Sequence, residues 1–126
     1  MDHQDNFNCT HTLTGHSQPV KSILLLQDCR FASGSYDKLM KIWNPQGNFK
    51  CTHTLSGHSN YVNCLIQLSD GKLASCSNDR IIRLWIVHEN FKISQTITDN
   101  SDPIKIIMQL QDGRILSGSK NIKIWG

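Results

Sequence analysis

The chain has 126 residues, of which 38% are hydrophobic and 18% charged, and its formal net charge is +3. This composition is typical of an ordinary folded protein and excludes a disordered one. The basic residues are spread along the sequence instead of clustered, so nucleic acid is an improbable partner, as is an anionic membrane. Wholly apolar runs such as Ile23 to Leu26 are far too short to cross a bilayer, which predicts no membrane segment.

Cysteine usage and the polar N-terminal stretch bear on the compartment. The cysteines are odd in number and show no Cys-x-x-Cys spacing, which argues against a disulfide framework and against a zinc site. No apolar core of a signal peptide follows Met1 to Asn6. We therefore expect a cytoplasmic or nuclear protein with reduced thiols at Cys9, Cys29, Cys51, Cys64 and Cys76.

The dominant feature of the sequence is an internal repeat. The stretch from Phe7 to Trp43 is written again 42 residues later, from Phe49 to Trp85. A degenerate third copy runs from Phe91 to Trp125. A repeat of this length indicates stacked supersecondary units, each unable to bury its apolar face alone. We predict one array over 1–126, divided approximately into repeats 7–48, 49–90 and 91–126.

Each copy has the pattern of a four-stranded β unit. In the second copy, short alternating segments separated by turn residues predict strands at 50–55, 61–68, 72–77 and 81–87. No segment has the apolar spacing of an amphipathic helix. Four strands in about 42 residues match one blade of a β-propeller, for which roughly 40–45 residues are expected. The first copy has Asp28-Cys29 where the others have Asp-Gly, so we predict a different type of hairpin turn there.

The residues that recur at 42-residue spacing resemble the WD-repeat family of β-propellers. The resemblance rests on a Gly-His pair, a Ser-x-Ser-x-Asp turn and a closing Lys-Ile-Trp, and it covers Phe7 to Trp125. It implies an all-β fold of four-stranded antiparallel blades in which a His, a Ser, an Asp and a Trp form a hydrogen-bonded tetrad. By position the tetrads are His16, Ser33, Asp37 and Trp43, then His58, Ser75, Asp79 and Trp85.

Two features leave the tetrads open to correction. Ser35 and Ser77 lie on the same strand face as Ser33 and Ser75, so either serine of each pair is a candidate member. In the third copy Asn100 stands where the histidine is expected, and the aspartate is lost to a two-residue deletion. The third blade should therefore be the least well fixed. The Trp-Asp dipeptide that gives the family its name is absent.

The resemblance implies a non-catalytic scaffold for protein–protein interaction, with no cofactor, no metal site and no catalytic residue. Partners would bind the rim and the end of the blades where the turn before each tetrad aspartate emerges. The alternative is a recognition subunit for phosphorylated or acidic ligands within an enzyme complex, with Lys38, Arg80 and Lys105 holding the anion. The candidate partner-binding residues are Gln18, Tyr36, Asn60, Tyr61, Asn78 and Arg80.

Three repeats are fewer than the about 4–8 blades of a closed propeller. In the family each repeat supplies the outer strand of one blade and the three inner strands of the next. Phe7 to Leu13 is thus predicted to be an outer strand without its own blade, and Trp125 ends a blade without its outer strand. Two explanations stay open: a second copy of the chain completes a six-bladed ring, or the sequence is part of a longer propeller.

Overall fold

The computed structural model describes residues 6–98 and 101–126, and its regular structure is almost entirely β. It contains eleven strands and, in the described residues, no α-helix; two short 3₁₀ turns follow β3 and β7. The strands of the second copy match the predicted ones to within one residue at each end. The strands are β1 Val20–Leu25, β2 Phe31–Ser35, β3 Met40–Asn44, β4 Lys50–Leu55, β5 Val62–Gln67, β6 Leu73–Ser77, β7 Ile82–Ile86, β8 Lys92–Ile97, β9 Ile106–Gln109, β10 Ile115–Gly118 and β11 Ile122–Trp125.

The strands form three antiparallel sheets, which are the blades. The first has the order β1-β2-β3-β4, the second β5-β6-β7-β8, and the third has three strands, β9-β10-β11. Strand β4 belongs to the second sequence repeat but completes the first sheet, where Met40 lies opposite Leu55. The prediction of an all-β partial propeller is therefore confirmed, together with the offset between repeats and blades.

The segment from Phe7 to Leu13 does not form the predicted strand. It is exposed throughout and takes part in no strand ladder. The reason is that a β-strand is stabilised by hydrogen bonds to a neighbouring strand. The first blade already has its outer strand in β4, so this segment cannot pair with β3 as a second outer strand of the blade that follows it.

The prediction of a different hairpin turn at Asp28-Cys29 is wrong. Cys29 adopts a left-handed backbone conformation with φ 74°, as Gly71 and Gly113 do at φ 95° and 96°. The amide of Cys29 donates to the carbonyl of Leu26 at 3.0 Å, and that of Gly71 donates to the carbonyl of Leu68 at 2.9 Å. The ladder on either side imposes the same turn on all three blades, even where a side chain makes it strained.

The core lies between the blades, in two apolar layers. Each layer joins one face of a blade to the opposite face of the next, as expected for stacked units that share their cores. The first layer contains Leu26, Ala32, Met40, Ile42, Val62, Leu65, Leu73, Trp85 and Phe91. The second contains Leu68, Ala74, Cys76, Ile82, Leu84, Ile104, Ile107 and Ile115.

Candidate functional site

A continuous chain of hydrogen bonds joins the four predicted tetrad residues of the first blade. The indole Nε1–H of Trp43 donates to Ser33 Oγ at 2.9 Å, and Ser33 Oγ lies 2.6 Å from His16 Nε2. On the other side of the ring, His16 Nδ1 lies 2.8 Å from Asp37 Oδ2. A carboxylate only accepts, so we assign the ring proton to Nδ1 and let Ser33 donate to Nε2. Every group in the chain is then satisfied.

The second blade repeats this arrangement. Trp85 Nε1–H donates to Ser75 Oγ at 2.9 Å, Ser75 Oγ lies 2.7 Å from His58 Nε2, and His58 Nδ1 lies 2.8 Å from Asp79 Oδ2. The side chains of His58 and Asp79 are almost fully buried. Removing any one member would leave buried polar groups without partners.

The aspartate at the end of each tetrad ties two loops together. Asp37 Oδ2 also accepts from the backbone N–H of Ser17 at 3.1 Å, and Oδ1 accepts from that of Leu39 at 3.0 Å. Burial disfavours the charged form, but the hydrogen bonds from His16 and from these two amides outweigh it, so the pKa of Asp37 is lower than usual. Asp79 is held in the same way, and its pKa is also lowered.

The second serine of each pair has a different role. Ser35 Oγ lies 3.0 Å from the carbonyl oxygens of Gln18 and Pro19 and accepts from the N–H of Asp37 at 3.0 Å. It therefore holds the turn that carries the aspartate and does not contact the histidine. Ser77 accepts from the N–H of Asp79 in the same manner.

The glycine of each Gly-His pair packs against the tetrad tryptophan. A Cβ added at Gly15 would lie 2.7 Å from Trp43 Cη2, and one at Gly57 would lie 3.0 Å from Trp85 Cη2. Any larger residue would push the indole away from its serine, so the close approach explains why glycine precedes the histidine.

The described part of the third blade contains only one of the tetrad bonds. Trp125 Nε1–H donates to Ser117 Oγ at 2.9 Å. The position of the histidine falls on Asn100, which lies outside the described residues. Ser119 occupies the repeat position of Ser35 and Ser77, but no aspartate follows it in the turn. Its backbone amide donates instead to the carbonyl of Asn121 at 3.0 Å.

The candidate partner-binding residues all lie at one end of the blades, which we call the turn end. It comprises the residues before β1, β5 and β9 and the turns after β2, β6 and β10; these meet because neighbouring strands run antiparallel. Gln18, Asn60 and Arg80 are exposed there, while Tyr36, Tyr61 and Asn78 contact other turn-end residues.

Tyr36 and Tyr61 stack on each other across the boundary between the first two blades. Their ring centroids are 4.0 Å apart with an interplanar angle of 21°. The ammonium of Lys21 lies 4.9 Å from the Tyr36 centroid, within the range of a cation–π interaction. The two tyrosines therefore join neighbouring blades as well as lining a surface.

Asn78 makes the corresponding link between the second and third blades. Its Oδ1 accepts from Asn63 Nδ2 and from Lys105 Nζ, both at 2.8 Å. Asn63 also donates to the carbonyl of Ile104 at 2.8 Å. The sequence interpretation did not single out Lys21 or Asn63. Both occupy the same repeat position as Lys105, because the three residues follow one another at intervals of 42, and that spacing could have identified them.

At the end of the blades opposite the turn end, one glutamine side chain links the second blade to the first, and another links the third blade to the second. Gln67 Oε1 accepts from the backbone N–H of Gln27 at 2.8 Å, while its Nε2 donates to the carbonyl of its own hairpin residue Gly71 at 2.9 Å. Gln109 repeats this with Ser69 and Gly113. Neither glutamine was predicted to matter, but their 42-residue spacing is visible in the sequence.

The cysteine thiols and the other titratable side chains of the described residues do not form a cluster that could bind a metal ion. Within residues 6–98 and 101–126 there is no group of three or more His, Cys, Asp or Glu side chains placed to bind a metal ion. All five cysteines carry free thiols. Cys64 lies directly opposite Cys76 on the neighbouring strand, and a hydrogen bond from Cys76 lowers the pKa of Cys64 to about 6. In the same ranges no helix is long and apolar enough to span a membrane.

The family model for the WD domain, G-beta repeat, matches residues 7–44 and 49–85, more than half of the chain. The chain belongs to the WD-repeat family. Among solved structures, the WD40 β-propeller domain of Doa1 superposes with a TM-score of 0.79 at 30% sequence identity. The superposition covers 88% of this chain and 38% of that one, so the chain spans less than half of the domain it matches. WD-repeat propellers in general mediate protein interactions and are non-catalytic.

Proposed function

We propose that this WD-repeat chain is a non-catalytic scaffold that binds a peptide segment of another protein at the turn end. The observation that supports this is a set of exposed amide, aromatic and cationic side chains on turns that the tetrads hold rigid. Gln18 and Asn60 offer amides, and Tyr61 offers a partly exposed ring. Rigid aromatic and polar groups of this kind are favoured at interfaces because little conformational entropy is lost on binding.

Charge favours an acidic or phosphorylated segment as the ligand. Lys38 and Arg80 are exposed on equivalent turns of the first two blades, and Lys105 is exposed near the start of β9. The nearby Asp37 and Asp79 point inward to their histidines, so the exposed charge of these two turns is cationic. This supports the second candidate, a recognition subunit for phosphorylated or acidic ligands in an enzyme complex, through the same surface.

A peptide array tests both candidates. We expect the chain to bind a subset of acidic or phosphorylated peptides, and a variant carrying Lys38→Glu and Arg80→Glu to lose that binding at least tenfold. Selection of neutral or basic peptides would support a scaffold but contradict the acidic ligand.

A matched control is available on the outer strands. Lys50→Glu with Lys92→Glu makes the same change of charge at exposed positions at the other end of the blades. Equal loss of binding in the two double variants would mean that only net charge matters, and the turn end would be rejected as the site.

A further inference from the structure

The second blade carries two cysteines that face each other across its first two strands. Cys64 on β5 is directly opposite Cys76 on β6 in the strand ladder. Opposite residues of antiparallel strands have Cα atoms about 4.5–5.5 Å apart. This separation is inside the range of about 4.4–6.8 Å that a disulfide requires. Both thiols are free in this structure, and the backbone already places them within reach of each other.

The other two blades show how closely side chains approach at this ladder position. The counterparts of Cys76 are Gly34 in the first blade and Gly118 in the third. They are opposite Ser22 and Ile106. A Cβ added at Gly118 would lie 2.8 Å from Cγ2 of Ile106, so a side chain here meets the γ atom of its partner directly. Of these three described ladder positions, that of the second blade has a thiol on both strands, and its γ atoms are the two sulfurs.

The ladder beside the pair can adjust to a bond between the sulfurs. The register of β5 with β6 shifts between Val62 and Cys64, as it does at a β-bulge. A bulge bends its strand and locally disrupts the ladder. Cys64 therefore has room to turn toward Cys76 and to reach the torsion angle of roughly 85–100° that a disulfide prefers.

The two thiols differ in exposure and in acidity. Cys64 is partly exposed, whereas Cys76 is completely buried in the core layer between the second and third blades. The hydrogen bond from Cys76 lowers the pKa of Cys64 to about 6 and so favours the thiolate, which is the reactive form of cysteine. A dissolved oxidant can thus attack Cys64 directly, while Cys76 is reached only through Cys64.

We propose that Cys64 and Cys76 form a reversible oxidation site, in which a peroxide converts the two thiols into a disulfide. The sulfur of Cys64 attacks one oxygen of hydrogen peroxide and the O–O bond breaks. The products are a sulfenic acid on Cys64 and a hydroxide, which takes up the proton that Cys64 released and becomes water.

The second step closes the disulfide. The sulfur of Cys76 displaces the hydroxyl group from the sulfur of Cys64, and the proton of Cys76 leaves with that hydroxyl as a second water. Two thiols and one peroxide therefore give one disulfide and two waters, with one electron lost by each sulfur. A dithiol reductant restores both thiols by thiol–disulfide exchange.

Cys76 is placed to stop the oxidation at this reversible stage. A sulfenic acid that meets no thiol is oxidised further to a sulfinic acid, which dithiols do not reduce. Because Cys76 is opposite Cys64 in the ladder, its attack is intramolecular and competes well with a second molecule of peroxide. The pair protects Cys64 from permanent damage.

Mass spectrometry of the folded 126-residue chain after treatment with hydrogen peroxide tests the proposal. Free thiols are blocked with N-ethylmaleimide, and the tryptic peptides are analysed without reduction. The peptides that contain Cys64 and Cys76 should be joined, and dithiothreitol should separate them. In Cys76→Ala, Cys64 should instead accumulate as a sulfinic acid that dithiothreitol does not reduce. In Cys64→Ala, Cys76 should stay reduced because it is buried.

Cys51→Ala is the matched control. Cys51 is also a partly buried strand cysteine, but the residue opposite it is Trp43, so the ladder offers it no thiol. Cleavage after Lys50 and Lys72 leaves Cys51 and Cys64 in one peptide, so this variant also identifies the bonded cysteine. The disulfide should form in it as in the wild type.

Three results would overturn the proposal. One is a folded wild-type chain in which Cys64 stays reduced or becomes a sulfinic acid without bonding to Cys76. Another is a disulfide that forms only in urea or is lost in Cys51→Ala. The third is oxidation of Cys76 in Cys64→Ala. None of these results depends on peptide binding, which is measured separately at the turn end.

Discussion

His58 Nδ1 lies 2.8 Å from Asp79 Oδ2, with both side chains almost completely withdrawn from water. This contact links the loop before β5 to the turn between β6 and β7. It follows that the loss of the carboxylate should unfold the blade more easily, because His58 and two backbone amides would lose their acceptor.

We expect Asp79→Ala to lower the free energy of unfolding by about 1–3 kcal/mol. Asp70→Ala is the control, since Asp70 bonds only within its exposed hairpin, to Lys72. Urea unfolding followed by tryptophan fluorescence measures both. Equal midpoint shifts for the two variants would contradict the structural role of the tetrad.

Acid should destabilise the protein through the same carboxylates. The pKa values of Asp37 and Asp79 are lower in the folded chain than their usual value. Their stabilising contribution is thus complete above the pKa of the unfolded chain, near 4, and is lost as the pH falls through the lower folded values. Urea midpoints should fall steeply below about pH 4, and Asp79→Asn should flatten that dependence. An unchanged slope in the variant would refute the assignment.

Cys29→Gly should stabilise the chain. Cys29 has φ 74° in a turn whose equivalents are glycines, and glycine adopts this conformation without steric cost. We expect a gain of about 0.5–1 kcal/mol, limited by the greater freedom of glycine in the unfolded state. The reverse change, Gly71→Ala, should cost a similar amount. Thermal unfolding of both variants measures the difference, and a destabilised Cys29→Gly would show that the side chain contributes a contact of its own.

Cys64 should react as a thiolate at lower pH than an ordinary cysteine. The hydrogen bond from Cys76 lowers the pKa of Cys64 to about 6, and the same bond, together with burial, raises the pKa of Cys76. Alkylation by iodoacetamide, followed by peptide mass spectrometry, should give a midpoint for Cys64 near this value, while Cys76 stays unmodified in the folded chain. Cys76→Ala removes the donor and should move the midpoint upward. A midpoint unaffected by this change would contradict the hydrogen bond.

Tyr61→Ala should lower stability as well as affect partner binding, because its ring stacks on Tyr36. An aromatic pair contributes about 0.5–1.5 kcal/mol beyond its buried area. Tyr61→Phe keeps the ring and should retain the melting temperature, so it separates the stack from the hydroxyl. If alanine and phenylalanine give the same melting temperature, the stack contributes nothing and Tyr61 serves the surface alone.

The strands of the blades could be predicted from the sequence, but the hydrogen bonds that link neighbouring blades could not. Strand bounds such as Lys50–Leu55 follow from alternation and turn residues, which are local signals repeated at a fixed period. The choice of Ser33 over Ser35 required three dimensions, since both lie on one strand face. The bond from Gln27 to Gln67 joins residues 40 positions apart, and the turn at Cys29 is set by its flanking ladder against local preference. These features depend on tertiary context, which overrides local propensity.

The third blade shows only the tryptophan–serine bond among the described residues, whereas the first two carry the full relay from indole to carboxylate. Local opening free energies within a protein vary with such differences in bonding. Amide hydrogens of β2 and β6 should consequently persist far longer in deuterated water than those of β10. The chain should then have a slowly exchanging part in the first two blades and a quickly exchanging part in the third, so the loss of one relay of hydrogen bonds would be visible as a difference in exchange rate along the sequence.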